Sequence, residues 1–290
     1  MIAASVSTML LANNRDTLQC LRVDSPLTDE ACEAVYTLPA LRNLSAVIKK
    51  GNSLPTVVLP NLTELDVEYD HDHGWLQGFR GATLGKLASV TFRPEHKPMD
   101  NFLDAFEKVA LTTSIRDTLS RFCLHTSYPW NPNYSSLLPF TQLTYIAIGF
   151  SCDGGCPSTV DDDIITDLAR TIPKLETLEL GGVPCREVRT GVTAKGLAVL
   201  AHHCPDLSSL RMHFQVASLG MAPDTGATAL RRGCALRDLE VGEIPMPEEL
   251  VLAAALTLGR IFPHMECIYS VDDNWEKVVD AICDSREVID

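Results

Sequence analysis

One apolar phrase recurs along this chain: leucine-x-x-leucine-x-leucine, with apolar substitutes. It reads "TLQCLRVD" from Leu18, "ALRNLSAV" from Leu41, "NLTELDVEY" from Leu62, "KLASVTFR" from Leu87, "TLSRFCLH" from Leu119 and "QLTYIAIG" from Leu143. It continues as "KLETLEL" from Leu175, "DLSSLRM" from Leu207, "ALRDLEVG" from Leu236 and "HMECIYSV" from Met265. In each copy the fourth and sixth positions alternate with more polar neighbours, which is the period of a strand with one buried face.

Helical patterns lie between the phrases. "DDDIITDLARTI" offers acidic residues for a helix start, then Ile164, Ile165, Leu168 and Ile172 on one face. "TAKGLAVLAHHC" offers Thr193 as a cap, followed by Leu197, Leu200 and Ala201, and "MDNFLDAFEKVAL" and "PEELVLAAALTLGRIF" behave alike. A unit of strand, turn and helix cannot cover its own apolar face, so copies must stack. The phrases are 21 to 32 residues apart, within the range of leucine-rich repeats. The expected fold is therefore an α/β leucine-rich-repeat solenoid, a horseshoe with a parallel inner sheet and outer helices. It would be a single domain over residues 1–290 with about ten irregular repeats. A closing amphipathic helix is expected within 272–290, carrying Trp275, Val278, Val279 and Ile282. Irregular stretches are expected at 70–82, 126–140 and 150–160; "SYPWNPNYSS", with Pro129 and Pro132, reads as a loop. Leu178 and Leu210 are expected in the core.

A helix, then "CPDLSSLRM" or "IPKLETLEL", then the next helix, resembles the leucine-rich-repeat region of F-box proteins, of the ribonuclease-inhibitor-like repeat type and particularly the divergent fungal ones. "LLANNRDTLQCLRVD" and "LPNLTELDV" resemble phrases of the same group, so the likeness covers nearly the whole chain. It implies a non-enzymatic, protein-binding scaffold that selects substrates for an SCF-type ubiquitin ligase, working in the cytoplasm or nucleus. The F-box, a short helical module usually N-terminal to the repeats, is missing, and residues 1–16 read as the helix of a repeat already under way. A ligase-adaptor partner is therefore expected only where an F-box lies upstream. The alternative is an F-box-independent repeat scaffold or regulator.

Composition changes this picture little. The chain has 290 residues, 46% of them hydrophobic, which is ample for a core. With 38 acidic and 24 basic residues the net charge is −14, which disfavours nucleic acid as a partner. The opening "MIAASVSTMLLANNR" has no basic residue before its apolar run and is too short to span a membrane. The ten cysteines, such as Cys20, Cys123, Cys204, Cys267 and Cys283, often sit in apolar runs and read mostly as buried hydrophobes of a reducing compartment.

The candidate chemistry is sparse. "GFRGATLGKL" misses a phosphate loop, because Arg80 stands where glycine is needed before Gly85-Lys86 and Leu87 replaces the hydroxyl. Cys152 and Cys156 in "SCDGGCPST" lack a second close pair for zinc, so a glycine-rich turn is expected, with a metal-dependent hydrolase as the remote alternative. Asp70, His71, Asp72 and His73 read as a solvated loop. Asp161, Asp162 and Asp163 read as a helix start favoured by the dipole. No nucleophile elbow is found, and no cofactor is expected.

The third, fifth and seventh positions of each phrase point away from the core and would line the concave face. On it Arg93, Arg121 and His125 fall on adjacent repeats with Tyr145 beside them, and Arg211 and Tyr269 lie further along. Arginine and tyrosine anchor interfaces, so these six are the expected partner contacts. The expected ligand is an acidic or phosphorylated protein segment, to which arginine pairs bidentately and His125 adds charge once protonated. The competing expectation is that Glu64, Asp66 and Glu68 neutralise the arginines internally.

Overall fold

The computed structural model describes residues 13–48, 59–69, 76, 79, 84–96, 98, 101–128, 130–150, 160–182, 190–220 and 233–287. Cys152, Cys156, the Asp70–His73 stretch and most of 70–82 and 150–160 lie outside them.

Each phrase forms a strand that begins two residues after its first apolar residue. The unit spanning 1–143 carries β1 (Cys20–Pro26), β2 (Asn43–Ile48), β3 (Glu64–Tyr69), β4 (Ser89–Pro94) and β5 (Arg121–Thr126). The unit spanning 144–290 carries β6 (Tyr145–Phe150), β7 (Thr177–Gly182), β8 (Ser209–Met212), β9 (Asp238–Gly242) and β10 (Cys267–Ser270). Within each unit neighbouring strands are parallel and follow chain order. They align position to position: Asn43 with Glu64, Glu64 with Ser89 and Ser89 with Arg121 in the first unit. In the second unit Tyr145 aligns with Thr177, Thr177 with Ser209, Ser209 with Asp238 and Asp238 with Cys267. A slip of one residue would turn every apolar side chain to the wrong face, so burial fixes the register.

The first leucine of most phrases precedes its strand yet is buried: Leu41, Leu62, Leu119, Leu143, Leu175, Leu207 and Leu236 are all fully inaccessible, while Leu18 of the first phrase is half-buried. Just after it, two successive backbone N–H groups donate to one carbonyl of the preceding repeat. Thr63 and Glu64 donate to Arg42 (2.8 and 3.0 Å), Ala88 and Ser89 to Thr63 (2.9 and 3.0 Å), and Ser208 and Ser209 to Glu176 (2.8 and 3.2 Å). The hydroxyls of Thr63, Ser120 and Ser208 donate to the same carbonyls, of Arg42, Ala88 and Glu176. Backbone polar groups at the turn into each strand are thereby satisfied without water.

The return segments vary with the spacing of the phrases. The 23-residue interval after Leu18 holds a seven-residue helix, α1 (Asp29–Val35), capped by Thr28. The 32-residue intervals hold ten-residue helices: α2 (Phe102–Leu111), α3 (Asp162–Thr171) and α4 (Ala194–His203). The last interval holds α5 (Val251–Ile261). The 24-residue interval after Leu119, one residue longer than the first, holds a 3-10 turn, Tyr134–Leu137, in place of an α-helix. This is the stretch read above as a loop, and it is more than that. Trp130, Tyr134, Leu137 and Phe140 are all buried. Phe140 stacks on Phe106 of α2 at 5.4 Å, and Trp130 meets Phe102 edge-on at 6.4 Å. Large rings here occupy volume that a helix fills in other repeats. Ser136 and Asn133 donate to Asp104 of α2 (2.5 and 2.8 Å), pinning the turn to that helix.

The three-aspartate run also does more than favour a helix dipole. Asp161 caps α3, accepting from the N–H groups of Asp163 and Ile164. Asp162 reaches the next repeat and accepts from Thr193 N (2.8 Å) and its hydroxyl (2.6 Å), while that hydroxyl caps α4 through Lys195 N. A side chain at Gly196 would start 2.4 Å from the Asp162 carboxylate, so α4 needs glycine there. After β10 comes α6 (Asn274–Glu287), which buries Trp275, Val278 and Ile282 and half-buries Val279. The indole of Trp275 donates to Ile244 O at 2.9 Å.

The cysteines need a correction. Cys32, Cys123, Cys204 and Cys234 are buried, but Cys20, Cys267 and Cys283 are exposed. Cys20 and Cys267 hold the third phrase position, on the side of the strand turned from the core, although Cys123 at the fifth position of β5 has the same parity and is buried.

Leu178 and Leu210, both fully buried, pair across β7 and β8. Truncating either to alanine should lower stability by about 2–5 kcal/mol in urea denaturation; a change well under about 1 kcal/mol would place these residues outside the core. The hydrogen bond from Ser136, with help from Asn133 and Lys108, holds the Asp104 carboxyl below its ordinary value of 3.8. A lowered native value means that the contribution is complete above the ordinary value and is lost as pH falls through the lowered one. Asp104→Asn should therefore be destabilising at pH 6, and this deficit should shrink at pH 3. Thermal melts of both proteins at the two pH values measure it, and an equal deficit at both would remove the carboxylate from the account.

Candidate functional site

Most residues at the third, fifth and seventh phrase positions form the open face of each unit's sheet; Cys123, Ala147 and His213 at such positions are buried. The strands place them in rows about 4.8 Å apart, with alternate residues about 6.6 Å apart along a strand.

In the first unit Arg93 and Asp66 occupy neighbouring strands. Glu68 stands directly opposite Arg93 in the ladder, yet Nη1 of Arg93 donates diagonally to both oxygens of Asp66 at 2.5 Å. The side chains are 50% and 30% exposed, so the pair is solvated and exchangeable. Internal neutralisation is thus what the structure provides for Arg93. Arg121 and His125 are both exposed on β5 but lie at its two ends, about 13 Å apart. Arg93 falls in the row of His125, one residue past the last paired positions of β4 and β5, and Arg121 falls in the row of Ser89.

In the second unit the fifth phrase positions make one continuous row across β6 to β10: Ala147, Glu179, Arg211, Glu240 and Tyr269. Arg211 lies between two carboxylates. Its Nη2 is 2.6 Å from Glu240 and its Nη1 is 3.6 Å from Glu179. The Tyr145 hydroxyl donates to Glu179 at 2.9 Å from the diagonal position. At the far strand the Tyr269 hydroxyl donates to Asp238 at 3.3 Å. The Asp238 carboxylate, and then Cys267, push the Tyr269 phenol above its ordinary value of 10. Tyr269 is 55% exposed and Val271, two residues on, is 72% exposed.

The ends of these strands are also distinct. The seventh positions of β7 and β9 are Gly181 and Gly242, with φ of 114° and 64°, a backbone region that favours glycine. Between them in sequence order His213 is nearly buried. Its imidazole lies 3.6 Å from where a side chain at Gly242 would begin.

Of the six expected contacts, Arg93, Tyr145, Arg211 and Tyr269 therefore engage a carboxylate of an adjacent strand. What the phrase pattern did not reveal is the diagonal geometry of these pairs: Asp66, Glu179, Asp238 and Glu240 are as much a part of the face as the residues they hold. Among the described residues no group of three or more His, Cys, Asp or Glu is arranged to hold a metal ion. No described helix is long and apolar enough to cross a membrane.

The position-to-position parallel ladder, the buried leucine before each strand and the helical returns define each unit as a stack of α/β leucine-rich repeats. No family model matches the chain, and no curated protein matches it. Among solved structures it is similar to the leucine-rich repeat-containing protein LegL7 from Legionella pneumophila, at 13% identity and a TM-score of 0.40, over 92% of this chain and 88% of that one. The repeat class rests on the ladder itself and not on that likeness.

The Arg211–Glu240 pair is about one-third exposed on both sides, so its contribution is small. A double-mutant cycle with Arg211→Ala and Glu240→Ala should give a coupling of about 0.5–1 kcal/mol, decreasing as salt is raised. Zero coupling at low salt would mean that the pair is not formed in solution.

Proposed function

We propose that this chain is a protein-binding repeat scaffold whose working surface is the open face of its sheets. Its partner contacts are Arg93, Arg121 and His125 in the first unit and Tyr145, Arg211 and Tyr269 in the second. The observation that carries this reading is the ordered row of arginine, tyrosine and carboxylate side chains on the face of the sheet that the core does not use. Arginine and tyrosine are the residues that most often anchor interfaces.

Size favours a polypeptide over a small molecule. Five strands span about 19 Å, the length of roughly six extended residues. A flat row of that length has no enclosure for a small ligand, which binds in concave pockets. In the first unit an acidic or phosphorylated segment is the ligand that Arg93 and Arg121 suit. The exposed pair of Arg93 with Asp66 is weak enough to exchange for a doubly charged phosphate.

The resemblance of the repeat phrases to those of F-box proteins extends the reading to substrate recognition in an SCF-type ubiquitin ligase pathway, in the cytoplasm or nucleus. A repeat scaffold or regulator outside that pathway is the alternative.

The test compares partners captured from the native cell extract by the wild-type chain and by two variants, Arg93→Glu with Arg121→Glu, and Tyr145→Ala with Tyr269→Ala. At least one variant should lose a partner several-fold while its thermal melt stays normal. Unchanged recovery of every partner by both folded variants would sink the open face as the binding surface. Ligase adaptor and cullin subunits among the captured proteins would support the ligase role; their absence would leave the scaffold without it.

A further inference from the structure

We propose that the open face of β6–β10 docks a cationic, extended protein segment, read by the carboxylates Glu179 and Glu240 and by Tyr269. This rests on the reading of the open face as a protein-binding surface and specifies what the second unit's share of it binds.

The charges set the sign. On this face Glu179, Asp238 and Glu240 are set against the single guanidinium of Arg211. Arg211 already points both of its terminal nitrogens at these carboxylates, so an incoming anion would have to take them away and would meet three like charges. A carboxylate has about four acceptor positions. Arg211 takes one on Glu240 closely and approaches Glu179 only at 3.6 Å, and Tyr145 takes one more on Glu179. The remaining acceptor positions suit lysine or arginine.

These acceptors are also held in place. Glu179 is fixed by Tyr145 from one side and Arg211 from the other, and its side chain is 25% exposed. Glu240 is fixed by Arg211 and is 33% exposed. The Tyr145 bond alone spares a partner the cost of ordering Glu179, whereas Arg211 orders Glu240 only by occupying it as an internal competitor.

The apolar half of the recognition lies one strand on. Tyr269 projects from β10, 55% exposed as a residue, with its hydroxyl tethered to Asp238. A cation above that ring would be attracted by both the ring and the carboxylate. The β10 ladder continues one residue further, through Val271 N to Gly242 O at 3.3 Å. Val271 then lines a shallow, open depression at the start of α6, together with Asp272, Asp273, Asn274 and Lys277. A row of carboxylates and an exposed aromatic ring thus follow one another across the strands, with the depression at the end of β10 beside that ring, which matches a segment that carries basic residues and one with bulk.

The test is fluorescence anisotropy of the full chain with two labelled peptides. One is a short extended peptide with lysine or arginine at alternate positions, and the other has glutamate in those positions. The cationic peptide should bind and the acidic one should not. Glu179→Gln with Glu240→Gln should weaken binding about tenfold. Glu249→Gln with Asp284→Asn removes the same charge away from the face and should change it by less than about twofold. Arg211→Gln should strengthen binding, because it removes the internal competitor for both carboxylates. Thermal melts establish that each variant is folded. Equal weakening by the two double variants, or weaker binding by Arg211→Gln, would overturn the proposal. Binding of the acidic peptide that Arg211→Gln abolishes would overturn it too, while leaving the open face as a protein-binding surface. If neither peptide binds, the proposal fails, and whether the scaffold reading also fails is decided separately by the extract experiment.

Discussion

Everything in this chain hangs from the requirement that each repeat bury its leucines against the next. A strand of four to seven residues with two inward side chains is not stable alone. Stacked in register, it gains a ladder on each flank and a sealed apolar face. The doubled hydrogen bond, in which two consecutive N–H groups share one carbonyl of the preceding repeat, locks the point where each phrase enters the sheet. It recurs in both units, and it carries the register from one phrase to the next. The register holds from that point along the central strands of each unit and shifts only near the ends of β1 and β10. The open face is a by-product of how the core is made.

That is also why so much of the fold was legible. Alternation within "LETLEL" or "LSSLRM" specifies the buried side, and the apolar periodicity of "DDDIITDLARTI" or "TAKGLAVLAHHC" specifies the return helices. What was not legible is what depends on a third dimension. Trp130 and Tyr134 sit in a proline-punctuated stretch that reads as a loop, and only the proximity of Phe102, Phe106 and Asp104 from the preceding repeat turns it into core. Asp162 looks like its neighbours in an acidic run, and only the placement of Thr193 in the next repeat distinguishes it. Cys20, Cys123 and Cys267 all sit among apolar residues at odd phrase positions, and only their surroundings in the fold leave Cys20 and Cys267 exposed while Cys123 is buried.

The candidate site was legible in position and not in state. The phrase periodicity places Arg93, Tyr145, Arg211 and Tyr269 on one side of the strands. It cannot say which carboxylate each one meets, because the choice is made by diagonal distances. Arg93 illustrates this: Glu68 lies directly across the ladder, but Asp66 on the diagonal accepts the bonds. On a pleated surface the directly opposed residues are closest at Cβ, but a long side chain such as arginine comfortably reaches the diagonal neighbour. Counting charges by repeat therefore overstates how much of each one is available to a partner.

The pairs on the open face nonetheless suit a binding surface better than a surface designed for stability. Ion pairs this exposed contribute little to folding, so the chain loses little when they are rearranged. They do hold long side chains in one orientation, and that matters for an incoming segment that would otherwise have to order them. A pair of this kind also discriminates by sign. To bind an anion, Arg211 must give up Glu240 and leave two carboxylates facing the ligand. To bind a cation, Glu240 needs only to add a second donor to the one it has. The asymmetry follows from the stoichiometry of one guanidinium between two carboxylates, and it would reverse if a second arginine stood in that row. Selectivity on such a face thus comes from the repulsion it keeps as much as from the attraction it offers.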